Sequence, residues 1–169
     1  MNVERLLALK INVNIFYLDK DPVKAAKIQY NKHVVKMPLE SAQMLCTAHH
    51  AVLGDDAIVP YKVAHLNHPS SIWARTSRAN YMWLYNHFKA LASEYTARYG
   101  RIHLSWTKCH DILSSPPRGI PDIGLTEMPQ CMPNEYKTDC SIQAYWNYYI
   151  GEKHSVANPN KELIYDRRP

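Results

Sequence analysis

Three titratable side chains, His33, Lys36 and Glu40, follow one another at helical spacing in the stretch NKHVVKMPLE. Positions i, i+3 and i+7 share one face of a helix, so the three side chains point in similar directions. The simpler interpretation is a solvated polar stripe with a local Lys36–Glu40 ion pair. The functional interpretation makes Glu40 a proton shuttle whose pKa is tuned by burial and by a neighbouring cation.

A proline within the same stretch affects how these side chains are arranged. Pro38 has no N–H to donate to the carbonyl of Val34, which predicts a kink at that point or a division into two helices. A kink would turn Glu40 relative to His33 and Lys36. We therefore expect all three side chains to converge on one cleft.

Two groups of basic and polar residues predict a surface for nucleic acid. The formal net charge of +5 agrees with a polyanionic partner. A helix that begins near Ser70 or Ser71 offers free N–H groups to an anion, and Arg75 and Arg78 add bidentate phosphate contacts. The candidates are Lys20, Lys24, Lys27 and Lys32 in the first group and His68, Arg75, Arg78 and Asn80 in the second.

A second interpretation of the function uses the abundant histidines. His110 and Asp111 form a doublet that is similar to the one in HD-type metal phosphohydrolases, which need further ligands from other helices. A metal-dependent phosphohydrolase on a helical scaffold is thus an alternative. Its ligands would come from His33, His49, His68, His110 and Asp111.

Length and composition suit one globular domain. The chain has 169 residues, of which 46% are hydrophobic and 21% are charged, and no apolar run approaches the roughly 20 residues that span a membrane. The four cysteines lack the C-x-x-C spacing of a zinc site and are expected to be free thiols. The first residues lack the features of a signal peptide, so we expect a cytoplasmic protein that contacts no membrane.

Helix signals dominate the chain and predict an all-α fold. We expect three principal helices joined by long irregular loops, in a single helical domain over 14–169 that follows an N-terminal extension over 1–13. Asp21 is the expected N-cap of the first helix, with Pro22 at its first position. The helices are predicted from Val23 to about Leu53, from Ser70 or Ser71 to about Tyr99, and from near Asp139 towards Gly151.

The order of these features resembles the phage pyrimidine-dimer DNA glycosylases of the endonuclease V type. The first helix of that family carries a histidine and, seven residues later, the catalytic glutamate, which correspond to His33 and Glu40. The stretch NHPSSIWARTSRANYMWLYNHFKALASEYTARYG is similar to the family's long aromatic second helix and the loop before it. The stretch MPNEYKTDCSIQAYWNYYIGEK is similar in layout to its third helix, so the resemblance covers most of 14–165.

The resemblance implies a glycosylase and abasic-site lyase that acts on damaged double-stranded DNA without a cofactor. In that family the N-terminal α-amine attacks C1′ of the deoxyribose, a Schiff base forms, and the glutamate assists the proton transfers. This chain carries about a dozen residues before the VNIFYLDK segment, where the family begins, so Lys36 or Lys20 is an alternative amine. It also carries Leu39 and Gln43 where the family has arginines. A non-catalytic nucleic-acid-binding phage protein is the third interpretation.

Overall fold

The computed structural model describes residues 13–153, which contain α-helices and short 3-10 turns but no β-strand. The all-α prediction is confirmed for this range, whereas the number of three principal helices is not, because six α-helices are present in it. Apart from Val13, the predicted N-terminal extension lies outside the described residues. The α-helices are α1 (Pro22–Lys27), α2 (Asn31–Leu53), α3 (Pro69–Thr76), α4 (Arg78–Tyr99), α5 (Leu104–Cys109) and α6 (Ser141–Gly151).

The first predicted helix is divided into α1 and α2, but the division does not lie at Pro38. Asp21 caps α1 as expected, because its Oδ1 accepts the Val23 N–H at 2.8 Å. The chain leaves the helical path over residues 28–30, and α2 then continues through Pro38 without interruption. The prediction that the helix divides at Pro38 is therefore wrong.

The break between α1 and α2 is held by a side chain from α4. The Arg98 guanidinium donates to the carbonyl oxygen of Lys27 at 3.0 Å and to that of Gln29 at 2.8 Å. The same group donates to Oδ1 of Asn31 at 2.9 Å and is paired with Glu94 one helical turn earlier. In a continuous helix these carbonyl oxygens would accept hydrogen bonds from later N–H groups of the same helix. Here they accept from Arg98 of another helix, which helps the chain to turn.

The second predicted helix is also divided in two. Ser77 is extended, with φ −147° and ψ 158°, and its hydroxyl oxygen accepts the N–H of Asn80 at 3.0 Å, so it caps α4. α3 begins earlier than predicted because His68 is its N-cap, with Pro69 at its first position. Nδ1 of His68 accepts the N–H of Ser70 at 3.1 Å.

The third predicted helix lies close to its expected position. α6 begins at Ser141 rather than near Asp139, and it includes Gly151 at its end. α2 packs against α3, α4 and α5, and α4 also packs against α1 and α3. No helix within residues 13–153 combines the length and apolar character that crossing a membrane requires.

A segment without regular secondary structure, residues 13–18, is buried against these helices. Ile15, Tyr17 and Leu18 are completely buried. Because the backbone of a buried segment still needs hydrogen-bond partners, side chains from α6 and from the break between α1 and α2 supply some of them. The indole N–H of Trp146 on α6 donates to the carbonyl oxygen of Leu18 at 2.8 Å, and the side-chain amide of Gln29 donates to that of Ile15 at 3.3 Å.

Candidate functional site

The carboxyl group of Glu40 lies on α2 and is almost completely buried, with 7% of the residue exposed. Its Oε1 is 3.3 Å from Nζ of Lys36, and its Oε2 accepts the backbone N–H of Asn14 at 3.3 Å. Burial raises the pKa of Glu40, although the charge of Lys36, the Asn14 N–H and the charge of Lys153 oppose that shift. Glu40 therefore holds its proton more tightly than an exposed glutamate does.

His33 lies two turns before Glu40 on the same helix and is held between aromatic groups. Its ring stacks on Phe16, with ring centroids 4.4 Å apart and an angle of 18° between the planes. Its Nδ1 is 2.6 Å from the hydroxyl oxygen of Tyr149, which also accepts the backbone N–H of Tyr30 at 2.8 Å. The Tyr149 hydroxyl and Nδ1 of His33 therefore share a hydrogen bond in which the tautomer of the ring decides which group donates.

The electrostatic surroundings of His33 keep its ring neutral. Burial lowers the pKa of His33 to about 3, and the positive charges of Lys153 and Lys36 act in the same direction. The imidazolium form is therefore a minor species at neutral pH. The arrangement suits His33 to hydrogen bonding as a neutral ring rather than to giving up a proton as an imidazolium.

The segment 13–18 connects His33 with Glu40. Oδ1 of Asn14 accepts the N–H of Ile15 at 2.9 Å and that of Phe16 at 3.4 Å, and Nδ2 of Asn14 donates to the carbonyl oxygen of Cys131 at 3.0 Å. Phe16 has a φ of 58°, a left-handed conformation that a bulky residue rarely adopts. This turn places the Phe16 ring on His33 while the Asn14 N–H reaches Glu40, so the connection does not depend on a division of α2 at Pro38.

Sequence reasoning missed Lys153, which follows the end of α6. Its Nζ is 4.9 Å from the centroid of the Tyr148 ring, and it is the single lysine of residues 13–153 that is not exposed. Burial lowers the pKa of Lys153, against the charges of Glu152 and Glu40. Nothing in the local sequence distinguishes this lysine, because 113 positions separate it from Glu40.

Comparison of the chain with protein-family models, with curated proteins and with solved structures gives no significant match. Its function is therefore inferred from the chemistry of the site. Glu40, Lys36, Lys153 and a neutral His33 together provide a carboxyl group that exchanges protons, two amines and a hydrogen-bond donor. Such a set suits reactions in which an amine condenses with a carbonyl carbon.

Most of the predicted nucleic-acid contacts lie on the surface. Lys24 and Lys27 belong to α1, Lys32 lies next to His33 at the start of α2, and Lys20 directly precedes Asp21, the N-cap of α1. Their exposure is compatible with contact to a polyanion. The exposed members of the predicted set are Lys20, Lys24, Lys27, Lys32 and Arg78.

Asn80 was predicted to contact nucleic acid but lies in the core, where it is completely buried. Its Nδ2 donates to the carbonyl oxygen of Trp73 at 2.9 Å and to the hydroxyl of Thr126 at 2.7 Å. Its Oδ1 accepts the N–H of Thr126 at 2.9 Å. These hydrogen bonds attach the loop after α5 to α3 and α4, so we correct the assignment of Asn80 to a structural one.

His68 and Arg75 are also engaged within the protein. Nδ1 of His68 caps α3. Burial lowers the pKa of His68 below its ordinary value, and the charge of His65 acts in the same direction. Nη1 of Arg75 donates to the carbonyl oxygen of Leu66 at 2.8 Å. Both side chains are half-buried, and both hold the loop before α3 against that helix. An anion at this position would have to share them with these contacts.

The residues of the metal alternative are dispersed over the fold. Nε2 of His49 is 2.9 Å from the hydroxyl of Tyr81, and Nδ1 of His110 is 2.8 Å from the carbonyl oxygen of Trp106. Within residues 13–153, no three His, Cys, Asp or Glu side chains come together as a set that could hold a metal ion. The proposed ligands His33, His49, His68, His110 and Asp111 therefore do not form a common site in this range.

Proposed function

We propose that the protein is a DNA glycosylase and abasic-site lyase that acts on damaged double-stranded DNA through a Schiff base, with Glu40 as the acid and base. The observation that carries this proposal is the buried carboxyl group of Glu40, held between the ammonium of Lys36 and the N–H of Asn14. A carboxylate is normally placed in water, and its burial beside amines costs stability. Such an arrangement is typical of functional sites.

The chemistry of a Schiff-base lyase explains why the carboxyl group would be placed there. An amine attacks C1′ of the sugar, a departing group must be protonated, and a proton must then leave C2′ before the 3′ phosphate is eliminated. A carboxyl group with a raised pKa exchanges protons closer to neutral pH than an exposed one does. Glu40 can therefore serve both as donor and as acceptor during one turnover.

His33 and the exposed lysines have supporting roles in this proposal. A neutral His33 with its ring proton on Nε2 would donate to a sugar or phosphate oxygen without adding a charge to the site. The exposed cations on and around α1 would contact phosphates independently of sequence. The proposal places the protein in the cytoplasm, where free thiols such as its four cysteines persist.

The proposal is tested with a duplex that contains one abasic site. We expect the protein to cleave this duplex without added metal, and borohydride to trap a covalent complex by reducing the Schiff base. Glu40→Gln should lower the turnover by roughly 10²-fold, the usual scale for a lost acid–base group. Glu94→Gln is the matched control, because Glu94 also forms an ion pair over one helical turn, but with Arg98 and on α4.

Two results would contradict the proposal. One is the absence of both cleavage and trapping by the wild-type protein at low salt. The other is equal activity of Glu40→Gln and Glu94→Gln. Hydrolysis of a phosphate ester that depends on a divalent metal would instead favour the phosphohydrolase.

A further inference from the structure

The candidate site contains a lysine at a position that neither the helical spacing nor the resemblance indicates. We propose that Nζ of Lys153 is the amine that attacks C1′ and forms the Schiff base. This inference rests on the proposed function and names its nucleophile. It replaces Lys36 and Lys20 as the expected amine.

A series of packed rings places Lys153 in the same site as His33. Nζ of Lys153 lies over the Tyr148 ring at 4.9 Å from its centroid. The Tyr148 ring stacks on Phe16, with centroids 6.5 Å apart, and Phe16 stacks on His33 at 4.4 Å. The amine thus reaches the site from α6, whereas His33 and Glu40 reach it from α2.

The charge of Lys153 acts on both groups of α2. It opposes the rise in the pKa of Glu40 and contributes to the fall in the pKa of His33. Lys153 therefore interacts electrostatically with the proposed acid and base as well as with the neutral imidazole. The structure brings these three groups together from distant parts of the chain.

The two other amines are less suited to the attack. The Lys36 side chain is 45% exposed and its Nζ is engaged by the Glu40 carboxylate. Lys20 is exposed to solvent, and its backbone carbonyl is tied to the indole of Trp83. An amine must be neutral to attack carbon, and partial burial favours the neutral form of a lysine. Among the lysines of residues 13–153, Lys153 alone has such surroundings.

The proposed step is balanced without any further reagent. The neutral Nζ attacks the aldehyde carbon C1′ of the ring-opened abasic sugar, and the carbinolamine loses water with a proton from Glu40 to give an iminium ion. The Glu40 carboxylate then removes a proton from C2′, a C2′–C3′ double bond forms, and the C3′–O bond breaks with departure of the 3′ phosphate. Water hydrolyses the imine and restores the free amine.

The site of attachment is identified in the wild-type protein, which avoids any dependence on the folding of a variant. The full chain is incubated with abasic duplex and borohydride, the complex is digested with a protease, and the modified peptide is located by mass spectrometry. We expect the sugar remnant on Lys153. Attachment to Lys36, to Lys20 or to the chain's α-amine would overturn this inference and leave the proposed function intact.

Variants provide an independent measurement. Lys153→Arg keeps the positive charge but removes the primary amine, and we expect it to reduce trapping on the order of 10²-fold or more. Lys89→Arg is the matched control, because Lys89 is exposed on α4 and has no role in the proposed chemistry, and it should retain trapping within a few-fold. Circular dichroism and DNA binding establish that both variants are folded. Undiminished trapping by folded Lys153→Arg would overturn the inference, and no trapping by the wild-type protein would overturn it together with the proposed function.

Discussion

Oε1 of Glu40 lies 3.3 Å from the ammonium of Lys36 in a pair whose acid is 8% exposed and whose base is 45% exposed. The pair of Glu94 and Arg98 on α4 also spans one helical turn, but its acid and its base are almost equally exposed, at 19% and 17%. An ion pair on an exposed helix surface contributes a few tenths of a kcal/mol because both groups keep their water. The Glu40 carboxylate has lost most of its water, and its raised pKa means that its partners do not fully replace that hydration.

The first prediction concerns the stability of Glu40→Gln. The raised pKa means that ionisation of Glu40 costs folding free energy at neutral pH, and this cost disappears as the pH falls below the ordinary range of a glutamate. We therefore expect Glu40→Gln to unfold at a higher temperature than the wild-type protein at pH 7, while turnover falls by roughly 10²-fold. Thermal unfolding followed by circular dichroism measures the first effect.

The pH dependence serves as the control for this prediction. At pH 4 the advantage of Glu40→Gln should be lost, because the wild-type carboxyl group is then also uncharged. A variant that is less stable than the wild type at pH 7 would show that Glu40 has a structural rather than a functional role.

The second prediction concerns the hydroxyl group that Tyr149 places between His33 and Tyr30. Tyr149→Phe removes the partner of the Tyr30 N–H and of Nδ1 of His33. Leaving buried polar groups unsatisfied costs about 1–3 kcal/mol, and we expect a loss of unfolding free energy of that size in denaturant titrations. Tyr148→Phe is the control, because the Tyr148 hydroxyl makes no hydrogen bond within residues 13–153, and its effect should be about 0.5 kcal/mol or less.

The third prediction concerns a buried histidine outside the site. Nδ1 of His87 is 2.9 Å from the carbonyl oxygen of Pro22, and its Nε2 is 3.2 Å from the side-chain nitrogen of Gln29. Burial lowers the pKa of His87 to about 4 from an ordinary value of 6.5. Between these values the unfolded chain binds a proton that the folded chain does not, so stability is complete above pH 6.5 and falls as the pH is lowered.

Substitution of His87 measures this proton uptake. We expect His87→Phe to be less stable at pH 7, because it lacks both hydrogen bonds. Its unfolding free energy should nevertheless depend less on pH near pH 5, by about 1.4 kcal/mol per pH unit, which corresponds to one proton. Denaturant titrations at several pH values measure that slope. An unchanged slope would show that His87 is not the group that takes up the proton on unfolding.

The fourth prediction concerns the exposed cations near α1. If they contact phosphates, the affinity for duplex DNA should fall steeply with salt, with a log–log slope of about −3 or steeper. Replacing Lys24, Lys27 and Lys32 by glutamine should make the slope shallower by about 0.9 for each phosphate that a lysine no longer neutralises. Fluorescence anisotropy over a range of salt concentrations measures the slope.

Asn80 provides the contrasting variant for the binding measurement. Asn80→Ala should lower the unfolding temperature, because it removes one buried and two partly buried hydrogen bonds. It should leave the salt slope of the folded protein unchanged. A selective fall in DNA affinity in a fully stable Asn80→Ala protein would instead assign this residue to the nucleic-acid surface.

The helices were largely predictable because their signals are local. Asp21 before Pro22 marks the start of α1, and Gly100, which closes α4 with a φ of 67°, marks an end that the sequence also indicated. The interruptions were not predictable in the same way. At the break before α2, Arg98 donates to the carbonyl oxygens of Lys27 and Gln29. Such a contact from another helix leaves no pattern in the local sequence.

The sequence by itself determined the helical character of the chain, its basic charge and the placing of His33, Lys36 and Glu40 on one helix, because charge depends on composition and a shared face on helical periodicity. The tertiary structure alone decided which of these side chains lose their water. Burial of Glu40 depends on the segment that carries Asn14 and Phe16, and the position of Lys153 depends on how α6 packs. The free energy of a charge depends on the atoms packed around it. Those atoms come from segments that are distant in the sequence, and residue spacing within one helix does not predict which segments will pack together.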